Sequence, residues 1–351
     1  MALTKNTFLA AAFMGGAMLL GPGAAFADAN CDAAEKIVFG DQFAARAAEA
    51  LPLAEACRAA DPANGLWLKG LSLEKLDRLE DAIVALDEML VLEPKFSGGW
   101  SQRGGVKYHL KRYDAAMIDY NQAIALEKKA DYYVARGNVY DDSGRKDLAM
   151  ADYTTAISLE PNNAYIYRER SVAYNVQKNY KAALADAQKA VELDSANVRG
   201  YILRADNYWA LDRRQEAYND YLRYASYDQS RAYVWNRLGA YLYDTRDYPG
   251  SILYYNKALD LDPSNAAYLV DRANSKDDSN DIAGAMADYN KALSIDPNYG
   301  RGYFDRGLSL ERQGKKAEAI SDYTKAVTLD PTDASAKKRL DILTGAAPAA
   351  Q

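Results

Sequence analysis

Paired charges are the most regular chemistry-bearing residues of this 351-residue chain: six arginines are each followed, 16 residues later, by an aspartate. A guanidinium and a carboxylate can form a bidentate hydrogen bond, whereas a column of unpaired arginines could bind an anionic ligand. The stretch 232–265 lacks both members, with Leu238 and Tyr254 at the two positions. Because the two are lost jointly, we predict that they contact each other as structural ion pairs. The pairs are Arg103–Asp119, Arg136–Asp152, Arg170–Asp186, Arg204–Asp220, Arg272–Asp288 and Arg306–Asp322.

No other arrangement in the sequence is typical of a catalytic or metal site. His109 is the only histidine, and without a second ligand nearby we expect it on the surface or in a groove. The segments 141–144 and 277–280 read DDSG and DDSN, but neither has the twelve-residue ligand order of a calcium loop. Nucleophile elbows, phosphate-binding loops and zinc spacings are missing from the sequence. We therefore predict no catalytic residue, no metal and no cofactor.

The first residues have the features of a secretory signal peptide. Lys5 precedes an apolar run from 8 to 20, and Ala25-Phe26-Ala27 supplies a small–x–small cleavage pattern. The run is too short for a membrane-spanning helix, and no later stretch is apolar for long enough. We predict that residues 1–27 are removed and that the mature protein is soluble and periplasmic, with an extracellular location as the alternative.

Two cysteines remain after that cleavage, Cys31 and Cys57. An even count in an exported protein favours a disulfide, and two buried free thiols are the alternative. A bridge would close a loop of about 26 residues, which the chain-entropy treatment values at roughly 3 kcal/mol. We predict that the two cysteines form a disulfide.

The charge balance argues against nucleic acid as a partner. The formal net charge is −6 and the pI is about 5.1, whereas binding to a phosphate backbone requires a basic surface. The chain also has 28 tyrosines against 7 phenylalanines. A tyrosine buries its ring but needs a partner for its hydroxyl, so this excess points to positions that are both packed and polar.

The elements that position these residues recur with a period of 34. A Leu or Ile, an acidic residue and a proline recur at this spacing or its multiples, as in Leu92-Glu93-Pro94 and Leu329-Asp330-Pro331, with one single-residue deletion near 129. Each unit combines two amphipathic patterns, so each is predicted to be a helix pair that the proline ends. The eight units are 63–96, 97–129, 130–163, 164–197, 198–231, 232–265, 266–299 and 300–333.

Within the units, large and small residues alternate at helical spacing. The first helix carries a large residue and a small one four later, as in Trp100 and Gly104, and the second pairs a small residue with a tyrosine, as in Ala116 and Tyr120. This pattern resembles the tetratricopeptide repeat over 63–333. The resemblance implies an all-α, right-handed solenoid of about eight helix-turn-helix units. Unit 198–231 departs from the pattern with Tyr224 and Tyr227, and we expect irregular packing or a bend there.

Both ends of the repeat array are expected to carry extra helices. Residues 28–62 indicate a less regular helical pair, whose second helix Pro52 could kink or split. Residues 334–344 indicate a capping helix that covers the last unit, and 345–351 are expected to be disordered.

In the family, the first helices of the units line a concave groove that binds peptides or partner proteins. We use the term groove face for the side of each first helix opposite its packing stripe. Aromatic and arginine side chains on this face are typical of binding hot spots, and an ordinary solvated groove is the alternative. The candidate binding residues are Tyr165, Arg168, Asn175, Arg199, Asp206, Trp209, Tyr233, Asn236, Arg237 and Tyr243.

Three functions are consistent with these patterns, in decreasing order of support. The first is a non-enzymatic scaffold or adaptor of the cell envelope that binds a protein or peptide. The second is a protein that handles carbohydrate or another envelope polymer, through a flat strip formed by Trp209, Tyr233 and Tyr243. The third is an enzyme. Association of two copies through the edges of the stack is also possible.

Overall fold

The computed structural model describes residues 28–346, and they form helices and connecting turns without any strand. The prediction of an all-helical fold is confirmed. The chain divides into two compact units at residues 178 and 179, which we call the N-terminal unit and the C-terminal unit. The predicted signal peptide and residues 347–351 of the predicted tail lie outside the described residues. No described helix is long and apolar enough to cross a membrane.

The N-terminal unit contains nine helices among its described residues. Helices that are adjacent in the chain pack as antiparallel neighbours, and each second helix also contacts the first helix of the next repeat. The helices are α1 (Ala29–Val38), α2 (Phe43–Cys57), α3 (Pro62–Lys75), α4 (Leu79–Leu92), α5 (Ser97–His109), α6 (Tyr113–Leu126), α7 (Ala130–Asp142), α8 (Lys146–Leu159) and α9 (Ala164–Val176).

The C-terminal unit continues the same arrangement over its described residues and ends with the single helix that the sequence indicates near residue 334. Its helices are α10 (Tyr180–Leu193), α11 (Val198–Ala210), α12 (Arg214–Ala225), α13 (Ala232–Asp244), α14 (Tyr248–Leu261), α15 (Ala266–Asp278), α16 (Ile282–Ile295), α17 (Gly300–Arg312), α18 (Lys316–Leu329) and α19 (Ala334–Thr344).

Local residue chemistry sets the ends of these helices. Asp and Asn side chains cap several N-termini; Asp61, for example, accepts a hydrogen bond from the Asn64 N–H at the start of α3. The turn inside each repeat contains one residue with positive φ. Two of these are glycines, Gly144 and Gly314, and the other six are Asp77, Lys111, Lys178, Asp212, Arg246 and Asn280. Left-handed backbone is unfavourable for residues with a Cβ, and backbone hydrogen bonds close these turns, as from the Arg78 N–H to the Leu73 carbonyl at 2.8 Å.

In six of the eight repeats, the core contains a tyrosine of the second helix that lies against a small residue of the first. Tyr153 and Tyr323 are fully buried, and a Cβ on Gly137 or Gly307 would lie 3.0 or 2.8 Å from their rings. Such close approach requires a residue without a side chain. The abundance of tyrosine therefore has a positional cause in this column.

Two irregular segments differ in part from expectation. Pro52 neither splits nor ends α2, which runs from Phe43 to Cys57. In repeat 198–231, α12 has 12 residues, whereas α14 and α16 have 14. Tyr224 is buried in the core beside Val234 and Trp235, while Tyr227 is 57 % exposed.

Cys31 and Cys57 form a disulfide between α1 and α2, with their Cα atoms 4.7 Å apart. Both residues are buried, in a core with Leu68 of α3. The bridge therefore joins the two helices of the extra pair, and the core around it extends to the first repeat through Leu68.

Candidate functional site

The Arg–Asp columns form bidentate ion pairs in five of the six repeats concerned. Arg103 donates from Nε and Nη2 to both carboxylate oxygens of Asp119, at 2.9 and 2.6 Å. The pairs of Arg136, Arg204, Arg272 and Arg306 have the same geometry, with distances of 2.7 to 2.8 Å. Arg170 belongs to the N-terminal unit and Asp186 to the C-terminal unit, and their pairing stays a prediction.

The remaining contacts of these arginines explain why the column is structural. Nη1 of Arg103 donates to Asp87 of the preceding repeat at 2.6 Å, and its guanidinium lies 4.7 Å from the ring centroid of Trp100. Arg306 donates in the same way to Asn290 at 2.7 Å. Each of these guanidiniums therefore joins two helices of its own repeat to the preceding one and is not available to an anionic ligand.

The groove face of α11 and α13, in the C-terminal unit, brings together four of the candidate residues. Asp206 accepts hydrogen bonds from the hydroxyls of Tyr221 and Tyr233, at 2.7 and 3.4 Å. Burial raises the pKa of Asp206 to about 6, against which the tyrosine hydroxyls and Arg237 act. Arg237 lies over the Trp209 ring, 4.7 Å from its centroid.

Arg237 differs from the arginines of the ion-pair column. It is half-buried, yet its guanidinium forms no hydrogen bond or ion pair with the described residues; it lies over the indole of Trp209, and its charge lowers the pKa of the nearby Asp206 carboxyl. Arg214 lies over the same indole at 4.0 Å and also pairs with Asp212. Five N–H donors of Arg237 are therefore unused on the groove face.

The other candidate residues have partners or lie elsewhere. Asn236 donates to Asp271 at 2.8 Å, and the Tyr243 hydroxyl donates to Asp278 at 2.7 Å. Arg199 is in the first turn of α11, where its N–H donates to Asn197. Three candidates belong to α9 in the N-terminal unit, where Arg168 lies 5.6 Å from the Tyr165 ring centroid; they are Tyr165, Arg168 and Asn175.

A cavity of about 480 Å³ opens on the groove face of the C-terminal unit beside Tyr243. Its volume is in the range of ligand pockets. Tyr243 is the only candidate residue that lines it, because the others in the lining belong to the last repeats and the capping helix. The lining residues are Tyr243, Asn274, Asp278, Asp305, Leu308, Glu311, Arg312 and Arg339.

The acidic segment 277–280 forms contacts between repeats in addition to a polar turn. Asp277 is buried and accepts hydrogen bonds from Ser309 and Arg312 of α17, so it ties two repeats together. Asp277 lies on the groove face of its repeat, and this position in the sequence could have predicted the contact. Within residues 28–346, no cluster of acidic, histidine or cysteine side chains could hold a metal ion.

His109 is the last residue of α5 in the N-terminal unit. Its Nδ1 lies 3.3 Å from a carboxylate oxygen of Glu74, and 35 % of the side chain is exposed. This exposure agrees with the expectation that the histidine lies on the surface or in a groove.

Comparison with known proteins gives the family. Profiles described as "TPR repeat" or "Tetratricopeptide repeat" match residues 98–129, 134–198, 232–265, 278–314 and 300–333. The chain is a tetratricopeptide repeat protein. The resemblance inferred from the 34-residue period is thus confirmed, and the repeat family supports a protein–protein interaction scaffold.

Relatives of this tetratricopeptide repeat protein share only short segments with it. Human serine/threonine-protein phosphatase 5 is 43 % identical over 61 residues, which are 17 % of this chain and 12 % of the phosphatase. Protein unc-45 homolog B of Xenopus laevis is 36 % identical over 63 residues, 18 % of this chain and 7 % of that protein. The chain therefore spans about an eighth or less of these relatives.

Two solved structures share the fold of this tetratricopeptide repeat protein. The APC/C hetero-tetramer Cut9–Hcn1 is 13 % identical with a TM-score of 0.53, covering 88 % of this chain and 62 % of that one. The structure of PilF from Pseudomonas aeruginosa is 18 % identical with a TM-score of 0.50, covering 60 % and 96 %. At these identities the likeness concerns the fold alone.

Proposed function

We propose that this protein is a non-enzymatic adaptor of the cell envelope and that it binds a peptide or a partner protein on the groove face of α11 and α13. The observation that carries the proposal is Arg237, a half-buried guanidinium with no hydrogen bond or ion pair to the described residues. Partial burial of N–H donors without hydrogen-bond acceptors is unfavourable. A carboxylate or carbonyl of a partner would supply the missing acceptors.

The surroundings of Arg237 support the same interpretation. Trp209 holds the guanidinium by its ring, which orients the donors before a partner arrives. Burial raises the pKa of the nearby Asp206 to about 6. At mildly acidic pH its carboxyl is therefore partly protonated and competes less with a partner's carboxylate for Arg237. Arginine and tryptophan are the residue types that most often dominate binding energy at protein interfaces.

Two features support an envelope location. Residues 1–27 have the pattern of a secretory signal peptide, although they lie outside the described residues. The Cys31–Cys57 disulfide is of the kind that persists in oxidising compartments such as the bacterial periplasm. We therefore place the mature protein in the periplasm, with an extracellular location as the alternative.

The test compares two charge reversals. Wild type, Arg237→Glu and Lys325→Glu would each be crosslinked in cells, and the partners identified by mass spectrometry. Lys325 is exposed on α18, so its reversal changes net charge equally without touching the groove face. If Arg237→Glu loses partners that wild type and Lys325→Glu both retain, the proposal is supported. If Arg237→Glu retains all partners, the proposal is contradicted.

The alternative function in carbohydrate or polymer handling has less support from the geometry. Stacking of a sugar requires an accessible aromatic face, and two guanidiniums, those of Arg214 and Arg237, already lie over Trp209. The Tyr233 and Tyr243 hydroxyls are engaged by different carboxylates, those of Asp206 and Asp278.

A further inference from the structure

The second helices carry one position whose residue is exposed in all eight repeats, namely the residue just before the aspartate position of the ion-pair column. We call this the outer position. Its occupants in chain order are Val84, Ile118, Ala151, Ala185, Asn219, Leu253, Ala287 and Ser321. The first two repeats therefore have large apolar side chains at the outer position, whereas five of the other six repeats have alanine or a polar residue there.

Four apolar side chains on second helices of the N-terminal unit extend this feature into a patch. Val84 is 57 % exposed and Ile118 is 66 % exposed. Val91, seven residues after Val84 and on the same face of α4, is 80 % exposed, and Leu148, near the start of α8, is 49 % exposed. We call these four residues the outer patch. Clustered apolar side chains that remain in water are typical of protein interaction surfaces.

Two ion pairs hold α4 and α6 next to each other at this patch. Arg112, at the start of α6, donates to Glu80 of α4 at 3.0 Å. Arg103, which is also paired with the aspartate of α6, donates to Asp87 of α4 at 2.6 Å. Val84 lies one helical turn from each of these two carboxylates along α4, so it lies between the two bridges.

Two further contacts join α6 to α8 in the same way. Arg145, at the start of α8, donates to Asp114 of α6 at 2.7 Å. Arg136, which is also paired with the aspartate of α8, donates to Asn121 of α6 at 2.6 Å. Ile118 lies one turn from Asp114 and one turn from Asn121. The outer sides of α4, α6 and α8 therefore form one continuous surface.

The charges around the outer patch are balanced. Every exposed acidic residue of α4 and α6 forms an ion pair with an arginine of the same unit. The pairs are Glu80–Arg112, Asp81–Arg78, Asp87–Arg103, Glu88–Arg58 and Asp114–Arg145. A rim without excess charge gives no electrostatic preference for a basic or an acidic partner. It also allows two copies of the patch to meet without repulsion, although the whole chain has a formal net charge of −6.

The surface of these three helices is large enough for a stable contact. Each helix has 14 residues, which makes it about 21 Å long and about 10 Å wide. Side by side, the three helices present roughly 600 Å². Each partner contributes roughly 800 Å² to an interface of ordinary size, so a dimer needs little surface beyond these helices.

We infer that the outer patch is the interface between two copies of this protein. In a two-fold dimer the same patch of both protomers is buried, so the apolar side chains of one patch pack against those of the other and leave water together. The paired rim charges then surround the contact without an unpaired charge at its centre. This inference does not depend on the proposed function, because the outer patch lies on second helices of the N-terminal unit and Arg237 lies on a first helix of the C-terminal unit.

Sedimentation velocity of the purified protein over a concentration series measures the dissociation constant of the dimer. Because both protomers carry each change, we expect Val84→Glu and Ile118→Glu each to weaken dimerisation at least about a hundredfold, about tenfold for each apolar side chain lost. Leu253→Glu is the matched control and should leave the dissociation constant unchanged. Leu253 occupies the same outer position in the C-terminal unit and is 56 % exposed, but the flanking repeats of its unit have Asn219 and Ala287 there.

Three results would overturn the inference. The first is a wild-type protein that stays monomeric at every concentration. The second is an equal loss of dimer with Leu253→Glu, which would trace the effect to net charge. The third is a monomeric wild type that co-purifies with another protein that Val84→Glu loses, which would assign the patch to that protein. Arg237→Glu should dimerise as wild type does, so failure of the dimer and failure of the proposed function are separable. Circular dichroism and thermal unfolding establish that each variant is folded.

Discussion

Repeats 97–129 and 266–299 share the same core ion pairs, but their groove faces differ in chemistry. Both pair an arginine with an aspartate, and both add a lysine to that aspartate: Lys107 to Asp119 and Lys276 to Asp288, each at 2.7 Å. On the groove face, repeat 97–129 has glycines and an unpaired buried hydroxyl. In repeat 266–299, each polar side chain of this face is bonded to a neighbour. The difference shows that core packing and groove chemistry are set independently within one repeat.

The polar face of repeat 266–299 is a continuous network. Asn274 accepts from Tyr289 and donates to Asp305 at 3.1 Å, and Arg301 reaches both Asp271 and Asp305, at 2.8 and 3.3 Å. Burial raises the pKa of Asp305 although Asn274 and Arg301 oppose that rise. The polar groups of this face are already hydrogen-bonded, whereas the Tyr120 hydroxyl beside α5 is buried without an acceptor among the described residues.

The largest expected effect tests the shared core. Asp288→Asn and Asp119→Asn each leave an arginine and a lysine without their carboxylate, and we expect a loss of about 3 kcal/mol at pH 7 in both repeats. Urea denaturation measures this loss. A loss in one repeat only would show that the two cores are not equivalent.

The same ion pair has a defined pH dependence. Burial alone would raise the pKa of Asp288, but hydrogen bonds from Arg272 and Lys276 outweigh it and hold the pKa below its ordinary value. The stabilisation is therefore present above the unfolded-state pKa of about 4 and is lost as the pH falls through the lower folded-state pKa. We expect the difference between wild type and Asp288→Asn to shrink in urea titrations below about pH 4.

Asn274→Gly makes the groove face of repeat 266–299 resemble that of repeat 97–129. It adds a mid-helix glycine, worth about 1 kcal/mol, and leaves the Tyr289 hydroxyl unpaired, worth about 1–3 kcal/mol. We expect a total loss of roughly 2–3 kcal/mol in urea denaturation. Asn274→Ala removes the same hydrogen bond without introducing a mid-helix glycine, so its loss should be smaller; a loss equal to that of Asn274→Gly would contradict this division.

Gly105→Asn is the converse change and should stabilise the protein. The amide oxygen would accept from Tyr120, as Asn138 does from Tyr153, so we expect a gain of about 1–2 kcal/mol. Gly105→Ala supplies only helix propensity and should gain less, about 1 kcal/mol or under. If thermal unfolding finds both variants destabilised, Gly105 is required for packing.

The smallest expected effect concerns the turns of the same two repeats. Lys111 has φ 57° and Asn280 has φ 71°. Asparagine tolerates left-handed backbone better than lysine, so Lys111→Gly should gain about 0.5 kcal/mol and Asn280→Gly about nothing. Thermal melts of the two variants side by side provide the comparison, and equal gains would count against the backbone explanation.

The sequence predicted the structural features that recur from repeat to repeat. The 34-residue period, the tyrosine column and the Arg–Asp spacing all reflect contacts between the two helices of a repeat, which most of the repeats share. The joint absence of arginine and aspartate at Leu238 and Tyr254 was informative for the same reason. Pro52 was less predictable, because a proline within the helix pattern can be accommodated where packing holds the helix on both sides.

The amino-acid sequence by itself determined the helical repeat, its family and the residues of its core columns. Only the tertiary structure decided which groove-face side chains form hydrogen bonds: that Arg237 forms none and that Asn236 and Tyr243 do. It also decided that Tyr120 lacks the acceptor that Tyr153 and Tyr289 possess. The physical reason is that core contacts recur at fixed spacing and impose a pattern on the sequence. Groove contacts join long side chains of neighbouring first helices, whose residues change from repeat to repeat, so no period records them.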